Sequence, residues 1–404
     1  MTTLAAGTVI SQVVVIGTSP VLSRLFSTES FGLLSIFTSI TMFFAVVSTG
    51  RYELALGLPE NDNKATGIFR LITIISSVVS LFYLFLIVIF KNFMPIPDKT
   101  GFLQSWTAYL APLYIFFIAI YSGLGYWLQR KKFYKRITLA NALQVISASV
   151  ASILFGLFGV KEGLVLSLLI GVLTSIIFIF SKEQYLIPNF SKVRNVSAIA
   201  KEYKSFPRYM IFSDLSLTAS QQFIPIIFSS LFGVAIVGLY SMANRMIRLP
   251  NIVITSAIGN VFRNDAIEEL RINGNCRTLY IVTMKKLILM SIPIYSLVFL
   301  LSPLLFSFFL GKQWTEAGQY ARILSVMLMF EFVAVPLSTI FYIREKQKVY
   351  ARLQFANAFL GALAIFAGYK IIGTVTGSLY FFVASSVLLN CFFIYFSYKL
   401  ATYD

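Results

Sequence analysis

Apolar residues in this chain come in blocks of about twenty, interrupted by short clusters of charge, Gly and Pro. A helix needs roughly 20 apolar residues to cross the hydrocarbon of a bilayer. Twelve such blocks can be laid along the chain, near 4–23, 31–50, 67–90, 106–128, 137–159, 163–181, 207–229, 234–256, 287–309, 321–343, 353–372 and 376–397. In lipid each should be helical, because its backbone amides and carbonyls find no water and must pair within the segment. The pattern predicts an all-α polytopic membrane protein of about twelve transmembrane helices.

Composition excludes the alternative of two or three soluble domains. Of 404 residues, 58% are hydrophobic and 12% charged, where soluble domains carry about 25% charged residues; mean hydropathy is +0.81. The 33 Lys and Arg exceed the 16 Asp and Glu, for a net charge of +17. In a soluble chain that excess would suggest nucleic acid. Here it is distributed by loop, with 24 basic residues on one side of the predicted membrane, 7 on the other and two inside a span. Clusters such as Arg130, Lys131, Lys132, Lys135 and Arg136 mark the cytoplasmic side by the positive-inside rule, which places both termini in the cytoplasm. That loop reads as a topology signal more readily than as a site. No nucleic-acid partner is expected.

The chain has no His, so imidazole metal sites and imidazole acid–base catalysis are absent. Cys276 and Cys391 have neither a metal spacing nor an evident disulfide pairing. No metal, no cofactor and no enzymatic activity is expected. Met1 to Thr3 carries no basic region, so the first apolar block reads as a retained span rather than a cleaved signal.

The chain also matches itself. Residues 23–35 align without gaps on 229–241, pairing Ser23 with Ser229, Phe26 with Phe232, Gly32 with Gly238 and Ser35 with Ser241. Residues 134–142 align on 350–358 at Tyr, Arg, Ala, Asn and Ala. Equivalent elements recur six spans apart, and an even shift keeps orientation. The expected organisation is two parallel six-helix lobes, 1–181 and 207–404, joined by a cytoplasmic linker at 182–206, around a central cavity suited to alternating access.

Charges inside spans are costly, about 2.5–3.5 kcal/mol on insertion scales, and usually face a cavity. Arg245 and Arg248, with Asn244 beside them, lie in the eighth span. They form either a cationic wall for an anion such as phosphate, which the Arg fork suits, or side chains snorkelling to the interface. Asp214 and Gln221 share a polar stripe on the seventh span with Thr218 and Pro225, and Glu331 is central in the tenth. Either acid could carry a coupling proton or Na⁺, or be a structural partner of Arg245. Arg24 with Glu29, and Arg51 with Glu53, flank the first two turns, where substrate contact, ion coupling at Glu53, ion pairing and snorkelling are all open. Asn141, Gln144 and Ser152 line one face of the fifth span, most simply for interhelical hydrogen bonds.

The runs Ser23-Arg-Leu-Phe-Ser-Thr-Glu-Ser-Phe-Gly-Leu-Leu and Arg51-Tyr-Glu-Leu-Ala-Leu-Gly-Leu-Pro resemble the N-terminal signature of the polysaccharide-synthesis flippases. These are the O-antigen and capsule repeat-unit translocases of the multidrug/oligosaccharidyl-lipid/polysaccharide (MOP) exporter superfamily. Val237-Gly-Leu-Tyr-Ser-Met-Ala-Asn-Arg-Met-Ile-Arg-Leu-Pro and Leu310-Gly-Lys-Gln-Trp-Thr-Glu-Ala-Gly resemble its second-half signatures. The resemblance implies a two-lobed protein of the bacterial inner membrane that moves undecaprenyl-diphosphate-linked oligosaccharide from the cytoplasmic to the periplasmic leaflet. Its partners would be that polyprenyl-linked substrate, membrane lipid, a polysaccharide polymerase and a chain-length regulator. The substrate set is then Arg245, Arg248, Asn244, Arg24, Arg51 and Gln221; the coupling acids are Asp214, Glu331 and Glu53. No G-x-x-x-x-G-K loop for ATP is found. Competing readings are a drug or metabolite antiporter of the same superfamily, a membrane-embedded polymerase or ligase, and a scaffold for polymerising enzymes. The short external connections disfavour the polymerase, and the mid-span arginines disfavour an antiporter of cations.

Overall fold

The computed structural model describes residues 2–93, 102, 105–181 and 196–402, with the backbone alone described at 2–10, 93, 213, 216, 217, 220 and 221. Among the described residues fifteen α-helices follow one another. They are α1 (Thr2–Leu25), α2 (Thr28–Ser48), α3 (Asp62–Phe93), α4 (Ala111–Arg130), α5 (Tyr134–Leu157), α6 (Gly163–Ser181), α7 (Val196–Glu202), α8 (Ile211–Phe232), α9 (Val234–Ile247), α10 (Ser256–Asn273), α11 (Arg277–Leu310), α12 (Thr315–Leu337), α13 (Ile340–Ile343), α14 (Gln347–Ile372) and α15 (Val375–Thr402). No strand occurs among the described residues. Every one of the twelve expected spans falls on a helix, and nine helical stretches among the described residues are long and apolar enough to cross a bilayer.

Three boundaries differ from the sequence expectation. The eighth span does not run unbroken through 256: α9 ends at Ile247, and a π-helical turn at Asn251–Thr255 precedes α10. Pro250 caps that turn; it has no N–H to donate to the preceding turn, and its ring crowds that turn's carbonyl, which favours a local widening there. α11 begins at Arg277, ten residues before the expected 287, so Lys285 and Lys286 lie inside a helix and not in a loop. α12 starts at Thr315 directly after a short 3₁₀ turn, six residues before the expected 321, which shortens the connection from α11. The expected linker 182–206 lies outside the described residues as far as 195.

The chain divides into two compact units, Met1–Gly238 and Leu239–Asp404. Large apolar side chains point outward as often as inward: Leu289 is 75% and Phe308 73% exposed on α11, while Trp314 is fully buried. That is the surface expected where the solvent is lipid. Buried hydroxyls turn back onto their own helix: Thr41 donates to the Phe37 carbonyl at 2.7 Å and Ser19 to Val15 at 2.7 Å, which satisfies them without a partner helix. Cys276 and Cys391 are both free thiols. Cys276 is wholly buried, and that burial pushes its thiol up to about 11.

Two turns share a backbone form three residues out of register with the sequence match: Lys132 and Glu345 are 213 positions apart, while 134–142 and 350–358 are 216 apart. The turn between α4 and α5 and the turn between α13 and α14 each place a non-glycine residue in the left-handed region, Lys132 at φ 61° and Glu345 at φ 56°. Their hydrogen bonds match one for one: Lys131 N–H to Trp127, Lys132 to Gln129 and Phe133 to Leu128 in one, Arg344 to Ile340, Glu345 to Tyr342 and Lys346 to Phe341 in the other. The basic residues of both turns are structural clamps. Arg130 donates to the carbonyls of Leu56 and Glu60 at 3.3 and 3.1 Å and pairs with Asp62 at 3.1 Å. Arg344 donates to the carbonyls of Leu400 and Gly274 at 3.1 and 3.0 Å. The repeat also touches itself: a Cβ on Gly32 would lie 2.0 Å from the Val234 carbonyl oxygen, and one on Gly238 would lie 1.8 Å from that of Thr28. Those four residues are the aligned pairs Gly32/Gly238 and Thr28/Val234, so the contact is reciprocal, as across a two-fold axis.

Candidate functional site

Each unit carries one cluster of charge among its helices. In Met1–Gly238, α2 ends at Ser48 and a 3₁₀ turn follows at Tyr52–Gly57. Arg51 caps that turn with φ 57°, a left-handed conformation that costs a non-glycine residue about 1–2 kcal/mol. Its guanidinium forms an ion pair with Asp214, at the start of α8, and Nη1 lies 3.0 Å from Oε1 of Glu53. Glu53 is 1% exposed, and its other oxygen, Oε2, is buried with no hydrogen-bond partner. The arginine is held between two carboxylates, one of which keeps an unused acceptor. Tyr126 of α4 lies within electrostatic range of all three.

In Leu239–Asp404, the helix break at Pro250 sets the second cluster. Arg248 follows the last turn of α9; its Nη1 lies 2.6 Å from Oε1 of Glu331 on α12, and its Nε donates to Oδ1 of Asn244 at 2.8 Å. Tyr240 and Tyr295 face the same pair, and Tyr295 donates its hydroxyl to Oδ1 of Asn251 in the π-helical turn. The amide nitrogen of Asn251 is buried without a partner.

Arg245 stands apart. It is half-buried in the last turn of α9 and makes no hydrogen bond or ion pair among the described residues. The alternative in which Asp214 or Glu331 pairs with Arg245 is therefore corrected: Asp214 takes Arg51 and Glu331 takes Arg248. Arg51 and Arg248 have their charge met by carboxylates, and Arg245 has none beside it among the described residues. Arg24 is exposed near the end of α1 and makes no ion pair with Glu29, also exposed. The side chain of Gln221 lies outside the described residues. Asn141 accepts from the Tyr121 hydroxyl and Ser152 donates to Ser167 at 2.7 Å, the structural roles anticipated for that face of α5.

Sequence reasoning passed over Tyr126, Tyr240, Tyr295 and Asn251. Among so many aromatics a tyrosine carries no positional signal of its own, but Asn251 next to Pro250 within an apolar block was a visible mark of a broken helix.

The pairing of Arg248 with Glu331 yields a stability prediction. Glu331→Gln should lower the folded yield several-fold in detergent, because it strands a cation among helices, and adding Arg248→Gln should restore it. The measure is monodisperse protein recovered by size exclusion. A double variant no better than Glu331→Gln would show that the charge pair is not what Glu331 contributes.

Comparison with known proteins bears on what such a protein does. The profile of a family described as "Polysaccharide biosynthesis protein" matches residues 21–319. No curated protein matches the sequence. Among solved structures, an inward-facing multidrug resistance MATE family transporter of the MOP superfamily superposes with TM-score 0.75 at 14% identity, covering 96% of this chain and 93% of that one. The lipid II flippase MurJ, in an inward closed conformation, gives TM-score 0.73 at 14% identity over 99% and 88% of the two chains. A MOP superfamily transporter from Pyrococcus furiosus, whose binding pocket is described as of reverse polarity, gives 0.59 at 15% identity over 98% and 93%. At these identities the likeness is one of fold: the helical fold shared by MATE transporters and MurJ.

Proposed function

The chain belongs to the polysaccharide biosynthesis protein family, and on that premise we propose that it flips undecaprenyl-diphosphate-linked oligosaccharide repeat units from the cytoplasmic to the periplasmic leaflet of a bacterial inner membrane. The observation that carries the reading is Arg245, a cation half-buried in an apolar helix that makes no side-chain hydrogen bond or ion pair among the described residues. A charge left unmet at such a position favours an anionic ligand, and a diphosphate matches the Arg fork. The fold, shared with a lipid flippase and with transporters, supports alternating access.

A sugar head group cannot cross hydrocarbon without a polar path, because its hydroxyls would lose their hydrogen bonds; the lipid tail can stay in the bilayer. Asp214, Glu53 and Glu331 are the proposed coupling acids. Each holds an arginine or lies against one, and uptake of a proton or Na⁺ by the carboxylate would loosen that arginine toward the substrate. In this reading the lobes are 1–181 and 207–404 with 182–206 between them, both termini are cytoplasmic, and a polymerase and a chain-length regulator receive the exported unit.

Cells lacking the protein test the reading. Completed single repeat units should accumulate on lipid facing the cytoplasm while surface polysaccharide disappears. Single units exposed to the periplasm would mean that flipping is intact and would favour a polymerase. An unchanged lipid-linked pool would leave a small-molecule antiporter.

A further inference from the structure

Within Met1–Gly238, a cavity of about 190 Å³ opens where the second half of α4 meets the first turns of α5 and the end of α6. That is room for several waters, or for a single pyranose ring in their place. Its polar lining is Tyr121, Ser122, Tyr126, Gln129 and Asn141. Within that set the Tyr121 hydroxyl bonds Oδ1 of Asn141, which leaves the Asn141 amide N–H free to donate. Ser122, Tyr126 and Gln129 make no side-chain hydrogen bond among the described residues.

Unspent amide and hydroxyl groups around two tyrosine rings in a concave site are the chemistry that recognises a sugar. The rings offer flat apolar faces to a pyranose C–H surface, and the amides and hydroxyls replace the water its hydroxyls give up. A metal is poorly served here, since the lining has no carboxylate, thiol or imidazole. A purely apolar ligand would leave the polar groups unpaired. The cavity also has a charged neighbour: Tyr126 lies within electrostatic range of Arg51, Glu53 and Asp214, so an anionic group at Arg51 and a ring in the cavity could belong to one molecule.

We propose that this cavity is a monosaccharide subsite that seats one pyranose of the lipid-linked head group, held by the Asn141 amide, the Ser122 and Tyr126 hydroxyls and the Gln129 amide, with Arg51 beside the diphosphate. The assignment rests on the flippase reading above. It adds a sugar-specific contact that the diphosphate and lipid do not supply.

Gly125 gives the test. It lines the cavity, and a Cβ there meets nothing within 4 Å, so the side chain of Gly125→Phe starts in open space and is the blocking variant. Binding would be measured with the full chain in lipid nanodiscs for three probes: farnesyl diphosphate, farnesyl diphosphate carrying one N-acetylhexosamine, and the free N-acetylhexosamine. The wild type should bind the glycosylated lipid about tenfold tighter than the bare one, the scale of one or two net hydrogen bonds. Gly125→Phe and Asn141→Ala should erase that difference and leave the affinity for farnesyl diphosphate unchanged. A tenfold preference that survives Gly125→Phe overturns the subsite, as does a wild type that binds both lipids equally. Free sugar bound by the wild type and lost in Gly125→Phe, with neither lipid bound, would keep the subsite and overturn the lipid-linked substrate. If no probe binds, both fall.

Discussion

Arg245→Ala is expected to abolish export while the protein accumulates in the membrane at or above the wild-type level. The two halves of that outcome have one cause. Arg245 is half-buried in α9 and its charge is met by no carboxylate and no hydrogen bond among the described residues. The folded protein carries that cost of dehydrating a cation without an internal offset, so truncating the side chain relieves it. Substrate loses its partner at the same time. Removing one member of a buried, hydrogen-bonded charge pair costs about 2–5 kcal/mol, roughly 30-fold to several thousand-fold in affinity. Arg245→Lys should recover only part of the activity, since an ammonium is a point charge without the planar fork. Arg248→Ala should behave differently: it leaves Glu331 facing no cation and should reduce folded yield before any transport is measured. The readouts are the lipid-linked pool, surface polysaccharide and the amount of protein in the membrane. Normal export by Arg245→Ala would remove this residue from the substrate path and with it the observation on which the proposed function stands.

The second large effect is structural. Gly32→Ala and Gly238→Ala should each severely reduce folded protein, whereas Gly17→Ala should be silent. A Cβ at Gly32 or Gly238 would sit 2.0 and 1.8 Å from backbone carbonyl oxygens, while at Gly17 it would meet nothing within 4 Å. Backbone cannot rotate out of the way as a flexible side chain can. The first turns of α2 and α9 would have to separate by roughly 1.5 Å before the new methyl reached an ordinary contact distance, and overpacking of this kind costs about 1–3 kcal/mol or more. The contact is reciprocal, so the two substitutions should not add. Once one methyl has forced the segments apart, the other enters a gap already made, and the double variant should lose less than the sum of the singles. Thermal unfolding in detergent and recovery by size exclusion measure this. Additive losses would show that the two contacts are independent and that the match between 23–35 and 229–241 carries no symmetric packing.

What could be read from the chain follows the same logic. That the apolar blocks would be helical was legible because lipid leaves such a block no alternative to pairing its own backbone groups. The breaks were less so. Pro250 is plain in the sequence, yet where α9 would stop and a π-helical turn begin depends on which carbonyls the neighbouring helices can re-satisfy. That Arg130 and Arg344 would be occupied with backbone carbonyls was not legible, because such bonds carry no signature in side-chain type.

The sequence by itself determined the fold class, the family and the list of intramembrane charges, because each is set by local composition or by motifs contiguous in the chain. Only the tertiary structure decided which charges are neutralised. Arg51 meets Asp214 across 163 positions and Arg248 meets Glu331 across 83, and no periodicity within one helix encodes which face of another it will pack against. The same packing left Arg245 without an ion pair among the described residues and placed a ring of amides and hydroxyls, several of them unspent, around Gly125. A charge or hydroxyl that the folded chain fails to satisfy is what remains for a ligand, and that remainder exists only once the helices have chosen their neighbours.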